Sequence, residues 1–222
     1  MFPPVDQATP EGLLAIGGDL SSQRLLEAYR HGIFPWYSAG QPILWWSPDP
    51  RAVLYLDQLK VSRSLRRTLR KDEYQVSFDR CFSRVVQKCA GPRRKDPTGG
   101  TWITSEMSNA YAQLHHAGYA HSVETWHHGQ LVGGLYGLAL GRGFFGESMF
   151  STLTDASKVA LVALVQQLRQ WDFHFVDCQL PSPHIGSLGA CEVPRQRFLE
   201  QLGRALNFPD IIGSWQVKDS AQ

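Results

Sequence analysis

The stretch Leu131-Val-Gly-Gly-Leu-Tyr-Gly-Leu-Ala-Leu-Gly-Arg-Gly-Phe-Phe-Gly-Glu-Ser-Met-Phe-Ser151 decides how this chain is read. Its first ten residues are apolar or glycine, Gly141-Arg142-Gly143 supplies a turn, and Phe144 to Phe150 resumes an apolar run. Together with His121 to Trp126 and the turn His127-His128-Gly129-Gln130, the pattern predicts three consecutive strands joined by short turns, an antiparallel meander. Within it stands Glu147, between Phe144-Phe145 and Met149-Phe150. A carboxylate is costly to bury without a partner, so Glu147 reads either as a functional group or as an edge-strand glutamate facing water.

Working outward, Thr154 or Asp155 caps a helix whose buried face is Ala160, Leu161, Leu164, Val165 and Leu168. The strand Phe173-His-Phe-Val-Asp-Cys-Gln179 follows. Alternation places Phe173, Phe175, Asp177 and Gln179 on one face and His174, Val176 and Cys178 on the other, so two aromatics lead like a wall to an Asp and a Gln. Upstream, a helix capped by Thr104 carries Met107, Tyr111 and Leu114 and ends at Gly118. A last helix near Pro194 to Leu206 packs through Phe198, Leu199 and Leu202. Meander, helix and further strand is the order of the Gcn5-related N-acetyltransferase core, which is an analogy of fold and not of chemistry. The fold class is therefore α+β, with a mostly antiparallel sheet flanked by helices.

Near the start, Ser21 or Ser22 caps a helix with Leu25, Leu26 and Tyr29 on one face, and Gly32 closes it. Ile33 to Arg51 is aromatic and holds four prolines, which predicts loops rather than regular structure. This marks a small N-terminal domain, residues 1–50, beside a larger one, 51–222. A short strand at Ala52 to Leu56 opens the latter.

The 222 residues, 43% hydrophobic and 19% charged, are those of a folding globular protein rather than a disordered one. Net charge is only +2, so affinity for an anionic partner must come from local clustering. Cys81, Cys89, Cys178 and Cys191 form no Cys-x-x-Cys pair and are expected to be reduced thiols in a cytoplasm. The N-terminus does not read as an export signal, and no apolar run approaches the roughly 18 residues that span a bilayer, so no membrane is expected.

Lys60 to Lys71 carries six positive charges and no negative one. At helical spacing Arg63, Arg66, Arg67 and Arg70 share a face, either a solvated surface or, with Lys60 and the second cluster Arg93-Arg94-Lys95, a phosphate-backbone contact. Gly141-Arg-Gly-Phe-Phe-Gly146 matches a dinucleotide fingerprint in letters, but a strand follows where that motif needs a helix, so it reads as a hairpin turn. His115-His116 and His127-His128 are adjacent pairs whose rings cannot share one face, and no metal is predicted. Nor is there a nucleophile motif or P-loop; Cys178 reads as a core thiol.

Gly17-Gly-Asp-Leu, Gly32-Ile-Phe-Pro-Trp-Tyr, Trp45-Trp-Ser-Pro-Asp-Pro-Arg, Gly100-Thr-Trp-Ile, Ala120-His-Ser-Val-Glu, Gly133-Gly-Leu-Tyr-Gly, Gly146-Glu-Ser-Met-Phe-Ser, Ala156-Ser-Lys, Asp177-Cys-Gln and Ser187-Leu-Gly-Ala occur in this order. Taken together they resemble the bacterial leucyl/phenylalanyl-tRNA-protein transferase family over roughly residues 10 to 200. The resemblance implies transfer of Leu, Phe or, less well, Met from aminoacyl-tRNA to the N-terminal Arg or Lys of a protein, which marks that protein for N-degron degradation, with no cofactor. It implies Trp36 and Trp102, with Tyr111, at the 3'-terminal adenosine, where stacking on a tryptophan gives on the order of 1–3 kcal/mol per base. Asp177 and Gln179 are then expected at the reacting centre with Glu147 and Tyr111 close by, Asp177 hydrogen-bonding an amine, Gln179 orienting or relaying and Glu147 supporting electrostatically. An apolar pocket for the donor side chain draws on Leu135, Phe144, Met149, Leu161 and Val176, which read equally well as core. Lys60, Arg63, Arg66, Arg67 and Arg70 become contacts to the acceptor stem of the tRNA. Two rivals remain: a CoA-dependent N-acetyltransferase of the same fold, against which Ser148 to Lys158 lacks a Gly-rich pyrophosphate loop, and a non-catalytic tRNA-binding module.

Overall fold

A computed structural model describes residues 1–91 and 103–216. The chain runs β1 (Leu13–Ile16), α1 (Ser22–Arg30), β2 (Phe34–Pro35), β3 (Leu44–Trp46), β4 (Arg51–Tyr55), α2 (Arg63–Arg70), β5 (Gln75–Phe78), α3 (Phe82–Cys89) and α4 (Ser105–His116). It continues through β6 (Ala120–His127), β7 (Gln130–Leu140), β8 (Gly143–Ser151), α5 (Ala156–Gln170), β9 (Phe175–Gln179), α6 (Pro183–Ser187), β10 (Cys191–Val193) and α7 (Arg195–Leu206). Two expected caps act as their side chains predict, Ser21 Oγ accepting from the Arg24 amide and Thr104 Oγ1 from that of Met107, each satisfying an orphan donor of a first turn; Asp155, expected with Thr154 as a cap of α5, stands at its N-cap in a left-handed conformation without a side-chain capping bond. Gly32 ends α1 at φ +72, a backbone that an L side chain resists.

The meander is present as β6, β7 and β8, all antiparallel. His128 and Gly129 make the β6–β7 turn, both at positive φ, which suits the right-handed twist of a tight hairpin. α5 then returns the chain so that β9 pairs parallel with β8, the order of the acyltransferase core noted above. The sheet has seven strands in the order β10-β4-β9-β8-β7-β6-β5. The edge strands β5 and β10 and the helix α3 had no clear signature: β5 and β10 are only four and three residues long, too short for periodicity to show. α5 covers one face, with α2 outside it through Leu65 against Val159 and Val162. On the other face lie α1, α3, α4 and α7, whose apolar residues share one cluster with Phe145 and Phe175.

Residues 33–50 are not all loop. Phe34–Pro35 and Leu44–Trp46 pair with each other, and the latter with Leu13–Ile16, in a separate three-stranded sheet. Proline is tolerated there because Pro35 sits on a two-residue edge strand. The N-terminal elements have no core of their own: Leu25, Tyr29 and Trp45 belong to the same apolar cluster as Tyr111 and Phe145.

Two further departures concern β8 and β9. The strand expected to begin at Phe173 begins at Phe175, and Phe173 packs with the α5-side cluster while Phe175 packs on the opposite side, so the two aromatics do not form one wall. The β8–β9 pairing spans only Gly143/Phe175, Phe144/Val176 and Phe145/Asp177, after which the strands part. Irregularities in register fall at that split, at Gly146/Ser148 opposite Gly137/Tyr136 and at Asp177/Gln179 opposite Val53/Ala52. Glu147 and Cys178 are the extra residues of two β-bulges, which re-aim side chains that strict alternation would place elsewhere. Gly137 makes room for the first: a Cβ there would stand 2.1 Å from the Phe145 carbonyl oxygen.

Candidate functional site

The split between β8 and β9 opens onto a cavity of about 160 Å³. Leu135, Phe144, Met149, Leu161 and Val176, the five residues expected to form an apolar pocket, all line it, with Leu54, Leu164, Ile185 and Leu188. Glu147 and Gln179 stand at its polar end. An apolar cavity of about 150 Å³ accepts a benzene ring, so this one has room for a Phe or Leu side chain.

Glu147 is inward, not an edge glutamate. Its strand is interior to the sheet, and the residue is 9% exposed. Tyr29 Oη stands 2.6 Å from Oε1, Tyr111 Oη 2.8 Å from Oε2, and the two phenolic oxygens 2.5 Å from each other. Gln179 Nε2 donates to Oε1 at 2.9 Å. The triangle of three O···O contacts requires three protons, and two phenols supply two. Burial drives both tyrosines well above their usual range, so neither gives up its proton. Protonation of the carboxyl supplies the third, whereas an ionised Glu147 leaves the Tyr29–Tyr111 contact without one. Consistently, burial pushes Glu147 up to about 7, against the pull of the Tyr29 and Tyr111 hydrogen bonds and with a further push from the Asp177 charge. Tyr29 escaped sequence analysis because a Tyr on the apolar face of an amphipathic helix reads as core.

Asp177 differs from expectation. It is 0% exposed, and the guanidinium of Arg51, also 0% exposed, donates from Nε to Oδ1 at 2.8 Å and from Nη2 to Oδ2 at 2.7 Å. The Gln179 amide also donates to Asp177 Oδ1, at 2.9 Å. The expected hydrogen bond from Asp177 to a substrate amine is therefore corrected: both oxygens are committed to Arg51, which a lone Arg after two prolines did not reveal. What Asp177 does hold is Gln179, whose backbone turns at φ +59 so that its amide meets the Asp177 carboxylate and its side chain meets Glu147.

Tyr111 is likewise corrected as a base platform, since it is wholly buried and its hydroxyl is bound to Glu147. Trp36 is 40% exposed, braced by Trp46, whose ring meets it edge-on at 5.7 Å and whose Nε1 donates to its carbonyl at 2.7 Å. The next residue, Tyr37, touches Thr104 Oγ1 at 3.5 Å, which brings this turn against the N-terminus of α4. Trp102 and Arg93-Arg94-Lys95 lie outside the described residues. Lys60, Arg63, Arg66, Arg67 and Arg70 are all exposed, while Leu65 holds α2 to α5. The cavity and this basic helix thus flank α5 from two sides. Among the described residues, no group of three His, Cys, Asp or Glu side chains could hold a metal ion, and no helix is long and apolar enough to cross a membrane.

At the N-terminus of α5, where a Gly-rich loop would cradle a pyrophosphate, stands Asp155 at φ +62, accepting from Lys158 Nζ at 2.9 Å and Thr68 Oγ1 at 3.2 Å. A carboxylate there occupies the anion-favouring end of the helix dipole and repels phosphate.

Comparison with known proteins follows the same lines. The family model for leucyl/phenylalanyl-tRNA protein transferase matches residues 53–203, and that for the N-terminal domain of the same proteins matches residues 18–49. Leucyl/phenylalanyl-tRNA--protein transferase of Azotobacter vinelandii is 60% identical over 94% of this chain and 92% of its own; that of Stutzerimonas stutzeri is 59% identical over 97% and 95%. Among solved structures, L-PGS from Bacillus licheniformis resembles 74% of this chain and 52% of its own at a TM-score of 0.43 and 11% identity. That likeness is too remote to bear on chemistry.

Two outcomes follow from the polar core. Asp177→Asn leaves the Arg51 guanidinium buried and unpaired, and should cost about 3–5 kcal/mol in urea unfolding. For Glu147, the folded value of about 7 lies above the ordinary 4.5. The unfolded chain thus loses this proton first, and stability falls as pH rises from about 4.5 to 7. Relative to Glu147→Gln, the wild type should lose on the order of 3 kcal/mol across that window, and an unchanged difference between pH 4.5 and 7 would refute the protonated carboxyl.

Proposed function

The chain belongs to the leucyl/phenylalanyl-tRNA protein transferase family, and from that premise we propose how its site works: Leu or Phe, and less well Met, passes from aminoacyl-tRNA to the N-terminal Arg or Lys of an acceptor protein, marking it for N-degron degradation. The observation that carries this reading is the joining of an apolar cavity of Phe or Leu size to a buried Gln–Glu–Tyr network.

The donor is an ester, already activated. The amine nitrogen attacks the ester carbonyl carbon, a C–N bond forms, the C–O bond to the ribose breaks, and the amine's proton ends on the released ribose hydroxyl. The protein has mainly to hold the amine about 3 Å from that carbon and keep the proton's route open. Because Gln179 Nε2 is bound to Glu147, its Oε1 is the atom left to accept from the incoming amine. Glu147 holds that amide in place, and Tyr29 and Tyr111 in turn hold Glu147. Asp177 is a positioning residue that sets the Gln179 turn through Arg51.

Trp36, with Trp102, is proposed to stack the 3'-adenosine, leaving the aminoacyl group to enter the cavity. Discrimination there comes to about 1–3 kcal/mol per methylene, so β-branched donors should be disfavoured but not absolutely excluded. The exposed arginines of α2 hold the acceptor stem through phosphates, a contact without sequence readout. A boundary near residue 50 is supported by the separate three-stranded sheet of the N-terminal elements, although the core is shared. An acetyl-CoA reaction finds no support, since the Asp155 carboxylate opposes a pyrophosphate at α5.

Purified protein given charged tRNA but no CoA or ATP should transfer labelled leucine to a protein beginning with Arg and not to the same protein beginning with Ala. Absence of transfer by folded protein would reject the reading. Replacing Arg63, Arg66 and Arg67 together with Ala should weaken tRNA binding and lower the slope of log K against log salt by about 1 for each phosphate no longer held. An unchanged slope would remove α2 from the interface.

A further inference from the structure

We propose that Trp215, near the C-terminus and outside the 53–203 match, is a specificity-determining residue of the donor cavity, acting as a buttress behind Phe144. The proposal rests on the cavity being the donor side-chain pocket. Phe144 lines that cavity, and its ring lies 5.9 Å from the indole of Trp215 in the same apolar cluster. Trp171 at 4.8 Å and Phe173 at 6.1 Å meet the same indole edge-on, so the aromatic wall continues outward from the cavity.

What holds Trp215 is independent of the cavity. Its backbone N–H donates to Asp79 Oδ2 at 2.7 Å, and its ring stacks on that of His121 at 3.7 Å and 6°. The His121 ring is tied to the same Oδ2 at 2.9 Å, and Asp79 Oδ1 accepts from the Ser122 amide at 2.9 Å. The C-terminal segment is thereby clamped to β6 and to the corner between β5 and α3. A buried Asp–His pair of this kind resembles a catalytic dyad, but both side chains are 1% exposed and lie against an indole, so its task is anchorage.

Position behind a pocket wall has a definite consequence. Interiors are close-packed, and a wall ring is held in place by the atoms on its far side. Removing the indole leaves space that neighbours only partly fill, and Phe144 is the one of its ring neighbours that also lines the cavity, so a shift of its ring into that space takes the wall back. The pocket then deepens along one direction, which favours bulkier donors and loosens the hold on leucine.

The test compares full-length wild type, Trp215→Ala, Trp215→Phe and the pocket variant Met149→Ala. Initial rates of transfer are measured from tRNA charged with leucine, phenylalanine or tryptophan, after thermal unfolding has established which variants are folded. Trp215→Ala should raise the tryptophan-to-leucine rate ratio roughly 10-fold over wild type, the scale of a small change in pocket volume. Trp215→Phe, which keeps a ring and removes an indole N–H that finds no partner among the described residues, should move the ratio the same way by less. It decides the matter if the Ala variant does not fold. Equal slowing of all donors by the Trp215 variants, with an altered ratio for Met149→Ala, would overturn the buttress and leave the pocket standing. An unaltered ratio in every variant, Met149→Ala included, would overturn the pocket and the buttress with it.

Discussion

The Arg51–Asp177 ion pair is the contact on which the arrangement of the rest depends. Both side chains are out of water, where a guanidinium and a carboxylate are tolerated only if their bonding is filled. It is filled from several directions: the carboxylate takes two guanidinium N–H groups and the Gln179 amide, and Arg51 Nη1 donates to the Gly32 carbonyl at 3.2 Å. The guanidinium also lies over the rings of Phe34 and Phe198 at 4.8 and 4.7 Å. One charge pair therefore joins the end of α1, the small sheet, β4, β9 and α7, and the N-terminal elements could not leave without exposing it.

The second constraint is the split of a parallel strand pair. While β8 and β9 are bonded, their side chains pack into the two apolar clusters; once they part, two bulges free Glu147 and Gln179 to meet across the gap. Polar side chains enter that gap, where Gln179 Nε2 donates to Glu147 and the hydroxyls of Tyr29 and Tyr111 meet the same carboxyl. The feature that interrupts the sheet is thus the one that brings the proposed reacting groups together. α1 reaches into it from outside the seven-stranded sheet, since Tyr29 closes the proton triangle.

Not every buried carboxylate takes part. Glu124 is wholly buried in β6, yet it accepts from Ser77, Ser122 and the amides of Arg80 and Cys81, which satisfies its oxygens and anchors the start of α3. Asp79 is similarly occupied by His121, Ser122 and Trp215. Glu147 stands apart because two of its partners, Tyr29 and Tyr111, also touch each other, a contact left without a proton when the carboxyl is ionised, and because it borders a cavity.

Much of this was legible in one dimension. The meander, α5 and the caps of α1 and α4 follow from periodicity and from Ser, Thr and Gly at the places where chain ends need them. Leu135, Phe144, Met149, Leu161 and Val176 come from strands and a helix whose inward faces the apolar pattern defines, so grouping them needed only the motif order. The sequence by itself thus determined the family and the long elements, the meander, α1, α4, α5 and α7, but not the short strands of residues 33–50, β5, β10 or α3. Tertiary structure alone decided which polar residues touch: Arg51 with Asp177, Tyr29 with Glu147, Asp79 with Trp215, pairs separated by 126, 118 and 136 positions. Periodicity reports how a residue faces its own element, and a bulge shifts that phase by one residue. Hydrogen-bond partners depend instead on how distant elements pack, which local pattern does not encode.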